Sequence, residues 1–123
     1  MTSSGPPASG GEQKIRWFKV CREIELKPGQ ARSITLVGRP FAVFNIKGRH
    51  YGIDAACRHM KANLAAGKLE GHIVECFMHA WRYDVTTGEC LTEEYGRLNT
   101  YPTKIENGYV MIGIEWPPPA LLE

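Results

Sequence analysis

The chain has 123 residues, 43% hydrophobic and 23% charged, with a formal net charge of +2. This is the composition of one ordinary globular domain, too near neutrality to point to nucleic acid or an anionic membrane. No apolar run approaches the roughly 18 residues of a spanning helix. The opening residues carry neither an apolar signal core nor an Arg pair, so the expected location is the cytoplasm.

Residues 1–14 are rich in Gly, Ser and Pro and are expected to form a disordered tail. Lys27-Pro28-Gly29-Gln30 reads as a turn, because Pro presets φ at its second position and Gly accepts positive φ at its third. Ala31–Val37 follows as a strand with Ile34 and Leu36 alternating against polar neighbours. Phe41–Ile46 is a short apolar strand, and Lys47-Gly48 turns it into Arg49–Asp54. Asn63–Leu69 is the one stretch with room for a helical turn. His72–Glu75 and Trp81–Asp84 are brief strands, and a Gly turn lies in Thr86–Glu89. Asn107-Gly108 is the strongest hairpin signal and joins Thr103–Glu106 to Tyr109–Glu115. Pro117-Pro118-Pro119 cannot continue a strand, so residues 117–123 are expected to be a tail. Many short strands with turn punctuation predict an all-β fold, a small antiparallel barrel or sandwich over residues 15–116.

Two clusters of rare residues stand in the predicted loops. Cys57-Arg58-His59 follows the strand Arg49–Asp54, and Cys76-Phe77-Met78-His79 lies between two brief strands. Sixteen residues separate His59 from Cys76. Each loop offers one thiolate and one imidazole, and two loops on a β scaffold can clamp a cofactor at one tip. Structural zinc accepts two Cys and two His, but its familiar arrangement pairs Cys with Cys and His with His. One Cys and one His from each loop suits a binuclear site, with two sulfurs on one iron and two nitrogens on the other.

The segment Cys57–Gly88 resembles the Rieske ferredoxin signature: C-x-H, a β segment, C-x-x-H, then aromatic residues, Asp and Thr-Gly. Leu64, Gly67, Gly71, Val74, Trp81, Tyr83, Asp84, Thr87 and Gly88 take part in the match, which extends more weakly over Trp17 to Ile114. The resemblance implies a Rieske-like fold with a two-loop subdomain at one tip. It also implies one [2Fe–2S] cluster held by Cys57, His59, Cys76 and His79. Several residues depart from the family pattern. Arg58 stands where Pro is usual. Lys61 and Ala80 stand where Gly is usual, and both are expected to shape the hydrogen bonds around the ligands. High-potential members carry an extra Cys in each loop; Ala62 and Met78 occupy those positions and cannot form that disulfide.

The resemblance further implies a one-electron carrier rather than a catalyst, fed by a flavin-dependent reductase and serving a terminal oxygenase. A monomer that docks through the His59 and His79 tip is expected, with Met60, Phe77 and Met78 as an apolar rim. Trp81 stands where high-potential members carry a Ser hydroxyl donor, while Tyr83 keeps the matching Tyr. That predicts a potential at the low end of the Rieske range. Arg58, Lys61, Lys68 and Arg82 read either as a positive collar or, beside Glu70, Glu75, Glu93 and Glu94, as an ordinary mixed surface. Cys21 and Cys90 read as small buried hydrophobes. His50 and His72 read as ordinary surface or satisfied residues, and Trp17 and Trp116 as packing on the barrel. Two other roles stay open: a Rieske-type small subunit of a larger, nitrite reductase-like enzyme, and a zinc-stapled binding domain.

Overall fold

The computed structural model describes residues 14–56, 63–76, 81–92 and 97–116. Ten strands follow in chain order: β1 Lys14–Arg22, β2 Ala31–Leu36, β3 Arg39–Ile46, β4 Arg49–Asp54, β5 Lys68–Glu70, β6 Ile73–Glu75, β7 Arg82–Asp84, β8 Thr100–Tyr101, β9 Thr103–Glu106 and β10 Tyr109–Trp116. They form three antiparallel sheets, ordered β1-β10-β9, β2-β3-β4-β8 and β5-β6-β7. The expected all-β antiparallel class is therefore the observed one.

Strand β3 explains the layering. Its residues Phe41 to Asn45 are all buried, so it has no solvent face and successive side chains enter different cores. Phe41 and Val43 join Cys21, Leu26, Val110, Ile112 and Ile114 in one apolar cluster. Ala42 and Phe44 join Ile53, Ala55, Leu64, Val74, Cys76, Tyr83, Val85 and Leu98 in another. The four-stranded sheet is thus packed on both sides. Phe41 meets Tyr101 edge to face, with ring centroids 5.1 Å apart.

Turn chemistry sets the hairpins. The Lys27–Gln30 turn closes through Gln30 N–H donating to Lys27 O at 3.0 Å, and Gly29 supplies φ +86°. Three two-residue connections put both residues at positive φ: Val37-Gly38, Lys47-Gly48 and Asn107-Gly108. That is the turn whose twist matches paired strands. Asn suits it. Val37, β-branched and exposed, does not; left-handed backbone costs an L-residue about 1–2 kcal/mol.

The sequence reading differs from the structure at several edges. β1 had no predicted counterpart, and neither did β5 or β8. Lys14, expected in the N-terminal tail, belongs to β1 instead; residues 1–13 and the expected tail at 117–123 lie outside the described residues. Asn63–Leu69 holds a helical turn only over Leu64–Ala66, of 3-10 form, and its end belongs to β5. Val37 belongs to a turn rather than to the preceding strand. Trp17 and Trp116 pack as expected: Trp116 lies 5.3 Å from the Phe18 ring, and Lys104 Nζ sits 4.4 Å over Trp17.

Candidate metal centre

Both segments that carry the candidate ligands are closed at their bases by backbone pairing. β4 ends at Asp54, and Ala55 N–H donates to Pro40 O at 3.0 Å. Ala56 then bridges Asn63 in antiparallel fashion, and Leu64 N–H donates back to Ala55 O at 2.7 Å. The loop 57–62 leaves and returns through this neck. Asn63 secures the return: its Oδ1 accepts from Ala65 N–H at 2.8 Å and its Nδ2 donates to Ser33 Oγ at 3.2 Å. Asn caps a turn in this way because its short amide reaches backbone two residues on.

The second loop is built likewise. Cys76 follows β6, and its N–H donates to Trp81 O at 2.8 Å across residues 77–80. β7 then continues the closure, pairing Glu75 with Arg82 and Val74 with Tyr83. On its far side Tyr83 bridges Cys90, and Leu91 N–H donates to Arg82 O at 2.8 Å. Ala55, Leu64, Val74, Cys76 and Tyr83 all belong to one buried cluster, with Trp81, Ala65 and Cys90 packed against it. The residues flanking both segments therefore share one apolar cluster.

Cys76 is the one proposed ligand within the described residues, and it is 1% exposed. Cys57, His59 and His79 lie outside them, as do Arg58, Met60, Lys61, Ala62, Phe77, Met78, Ala80, Glu93 and Glu94. Among the described residues no group of three or more His, Cys, Asp or Glu could hold a metal ion. The chain around Cys76 fits an iron–sulfur group. Cys76 is kept from water among apolar side chains that lower the local dielectric.

Tyr83, expected behind the ligands, is fully buried beneath the second loop, and Trp81 is partly buried. Lys68 pairs with Glu70 at 3.9 Å, both well exposed, which suits a mixed surface more than a collar. Cys21 is buried in the other cluster as expected, and burial raises its thiol pKa, with Glu25 adding to the rise and Arg32 opposing it. Cys90 is only partly buried.

The two remaining histidines divide. His72 is exposed and satisfied: its Nδ1 lies 3.0 Å from Asp84 Oδ1. That carboxylate also accepts from Thr86 Oγ1 at 2.6 Å and Thr86 N–H at 2.9 Å. Burial works against the charged form of Asp84, but these bonds and His72 prevail and hold its carboxyl below the usual pKa. His50 departs from the expectation of a satisfied residue. Its Nε2 is buried and has no hydrogen-bond partner. It borders a cavity of about 320 Å³ lined also by Tyr51, Thr86, Tyr101 and Thr103.

One polar constellation had no forecast. Asp54, the last residue of β4, is 9% exposed. Tyr101 donates its hydroxyl to Asp54 Oδ1 at 2.5 Å, and Asn99 N–H donates to Oδ2 at 2.9 Å. Arg39 lies 3.7 Å from Oδ1 and 3.4 Å from the Tyr101 oxygen. Burial first, then the bond to Asp54 and its charge, push the Tyr101 hydroxyl well above the ordinary tyrosine pKa, with Arg39 pulling the other way. The sequence signal was faint: an acid three residues before Cys57, with partners 15 and 47 positions away.

Comparison with known proteins agrees with this geometry. Residues 16–102 match the family described as the Rieske [2Fe-2S] domain. The chain is 34% identical over 101 residues to the naphthalene 1,2-dioxygenase system ferredoxin component of Pseudomonas putida, covering 81% of this chain and 97% of the relative. Among solved structures, one chain of a complex of reduced oxygenase and oxidized ferredoxin in carbazole 1,9a-dioxygenase superposes with a TM-score of 0.73. It is 30% identical, with 78% of this chain and 91% of that chain covered. The Sphingomonas yanoikuyae B1 ferredoxin superposes with a TM-score of 0.71 at 28% identity, covering 80% and 99%.

Proposed function

Because the chain belongs to the Rieske [2Fe–2S] domain family, we propose that it carries single electrons from a flavin-dependent reductase to a terminal oxygenase. It is an electron carrier and not itself a catalyst, and one Rieske-type cluster is its cofactor. The cluster supplies a one-electron couple, with potentials in this family of roughly −150 to +300 mV. We assign its four ligands to Cys57, His59, Cys76 and His79. The observation that carries this is the pair of closed necks, Ala56 to Asn63 and Cys76 to Trp81, rising from one buried cluster.

Each residue's part follows from its place. The Cys76 backbone is fixed by its bond to Trp81, so its thiolate is positioned without rearrangement. Val74, Leu64 and Tyr83 keep water from the floor of the site. The low end of the potential range follows from Trp81 standing where a hydroxyl donor raises the potential in high-potential members. Met60, Phe77 and Met78 form the apolar rim on which partners dock, at interfaces below about 1,200 Å² that suit transient redox encounters. The domain runs from Lys14, the first residue of β1, to Trp116 and acts as a monomer. Cys21, a buried thiol outside any disulfide, suits a reducing compartment such as the cytoplasm.

The test is EPR of the dithionite-reduced protein together with iron and acid-labile sulfide analysis. A rhombic signal of low average g, with two irons and two sulfides per chain, is expected for a Rieske site. A colourless protein holding one zinc, or an EPR-silent reduced sample, would overturn the assignment.

A further inference from the structure

The Asp54 constellation lies at the root of the first candidate ligand segment, and electron carriage as described leaves it without a role. A carboxylate taken out of water is costly unless donors and a counter-charge surround it. Here Tyr101, the Asn99 amide and Arg39 do so. The register of the strands does not need them. Phe41 already pairs with Asp54 through backbone, Ile53 with Thr100, and Asp54 N–H donates to Asn99 O at 3.1 Å. An ion pair with one partner as exposed as Arg39 is moreover a weak contributor to stability. What distinguishes this pair is its place. Asp54 ends β4, at the root of the first ligand loop, and three residues of chain span at most about 10 Å to Cys57. Arg39 reaches it from the start of β3, on the neighbouring strand.

We propose that Asp54 is a positioning and charge-setting residue for the iron–sulfur site, with Arg39 as its opposing charge; this rests on Cys57 being an iron ligand. Reduction adds a negative charge, so a carboxylate at the loop root disfavours the reduced state and lowers the midpoint potential. The Arg39 guanidinium favours the reduced state and raises it. Because Asp54 is buried, salt screens its effect less than it screens an exposed charge. The Tyr101 hydroxyl and the Asn99 amide hold the carboxylate in a single orientation.

The test is a redox titration of the full chain with its cluster, comparing Asp54→Asn, Arg39→Gln and the double variant, followed by EPR. Asp54→Asn is expected to shift the midpoint upward, Arg39→Gln downward, and the pair together to fall between. Opposite signs are what a merely structural role would not give, since loosening the same neck would move both variants the same way. Tyr101→Phe keeps both charges and is expected to shift the midpoint least while changing the EPR g values. Shifts of the same sign, or no shift with the cluster intact, would overturn the proposal. If Asp54→Asn does not fold, Arg39→Gln decides alone: a downward shift supports the proposal and an unchanged midpoint refutes it. Cys57→Ser separates the two readings. Loss of the cluster there leaves the ligand assignment standing whatever the midpoints do, and retention removes the premise.

Discussion

The two buried clusters of this domain are built in different ways. The sandwich cluster, around Phe41, Val43, Val110, Ile112 and Ile114, is made of long strands; β10 and β3 have eight residues each. The other cluster adds, to Ala42, Phe44 and Ile53 of β3 and β4, residues from three-residue strands and from closed necks: Ala55, Leu64, Val74, Cys76 and Tyr83. In the first, side-chain volume decides the packing of strands held by long ladders. In the second, single backbone bonds such as Cys76 to Trp81 hold the backbone of a proposed ligand. Stability and site geometry are therefore largely assigned to opposite faces of one strand, β3, and each can be damaged with the other left in place.

The largest expected effect is on the site side. Cys76→Ser is expected to abolish iron binding, read as loss of visible absorbance and of the EPR signal. Its far-UV circular dichroism should stay close to wild type, because the sandwich does not depend on the ligand. Wild-type iron content in this variant would contradict the ligand assignment. Next comes the sandwich side. Phe41→Ala empties a ring that is 1% exposed and is expected to cost about 3–5 kcal/mol by denaturant unfolding. The EPR signal of the protein that remains folded should be unchanged; an altered signal would mean that the two cores are not separable.

The smallest effect sharpens the comparison by pH. The folded-state pKa of Asp84 is lowered, so its contribution is present above the unfolded value of about 3.9 and is lost as pH falls through the folded one. Asp84→Asn is expected to cost about 1 kcal/mol at neutral pH. The gap between variant and wild type should close in acid, below pH ~3.9. Since Asp84 belongs to β7, acid should disturb the cluster signal before the sandwich unfolds; coincident transitions would argue against separate cores.

Much of the fold was legible because its turns announce themselves. Lys47-Gly48 and Asn107-Gly108 are residue pairs that accept positive φ, and Ile34, Leu36, Tyr51 and Ile53 alternate with polar or small neighbours. The connection at Val37-Gly38 was hidden because β-branched Val reads as strand and pays strain to turn. β1 was missed because its partner lies at the other end of the chain: Trp17 pairs with Gly113 and Phe18 with Ile112. Its pattern is also blurred by Arg16 and Lys19, whose charges lie over the rings of Trp116 and Tyr109. Cys57, His59, Cys76 and His79 were legible as a set because thiols and imidazoles are rare and closely spaced. The Asp54 constellation was not, since an Asp, an Arg and a Tyr are common residues until folding brings them together.

The pairing of β1 with β10 also sets an order of events during synthesis. Lys14 meets Trp116 and Arg22 meets Tyr109, so β1 has no partner until β10 has been made. At about 5–20 residues per second, the interval from Lys14 to Tyr109 is roughly 5–20 s. Over that time Trp17, Phe18 and Val20 stand on an unpaired edge, the segment a nascent-chain chaperone would find first. A ribosome that stalls before Tyr109 leaves that edge without its closing strand.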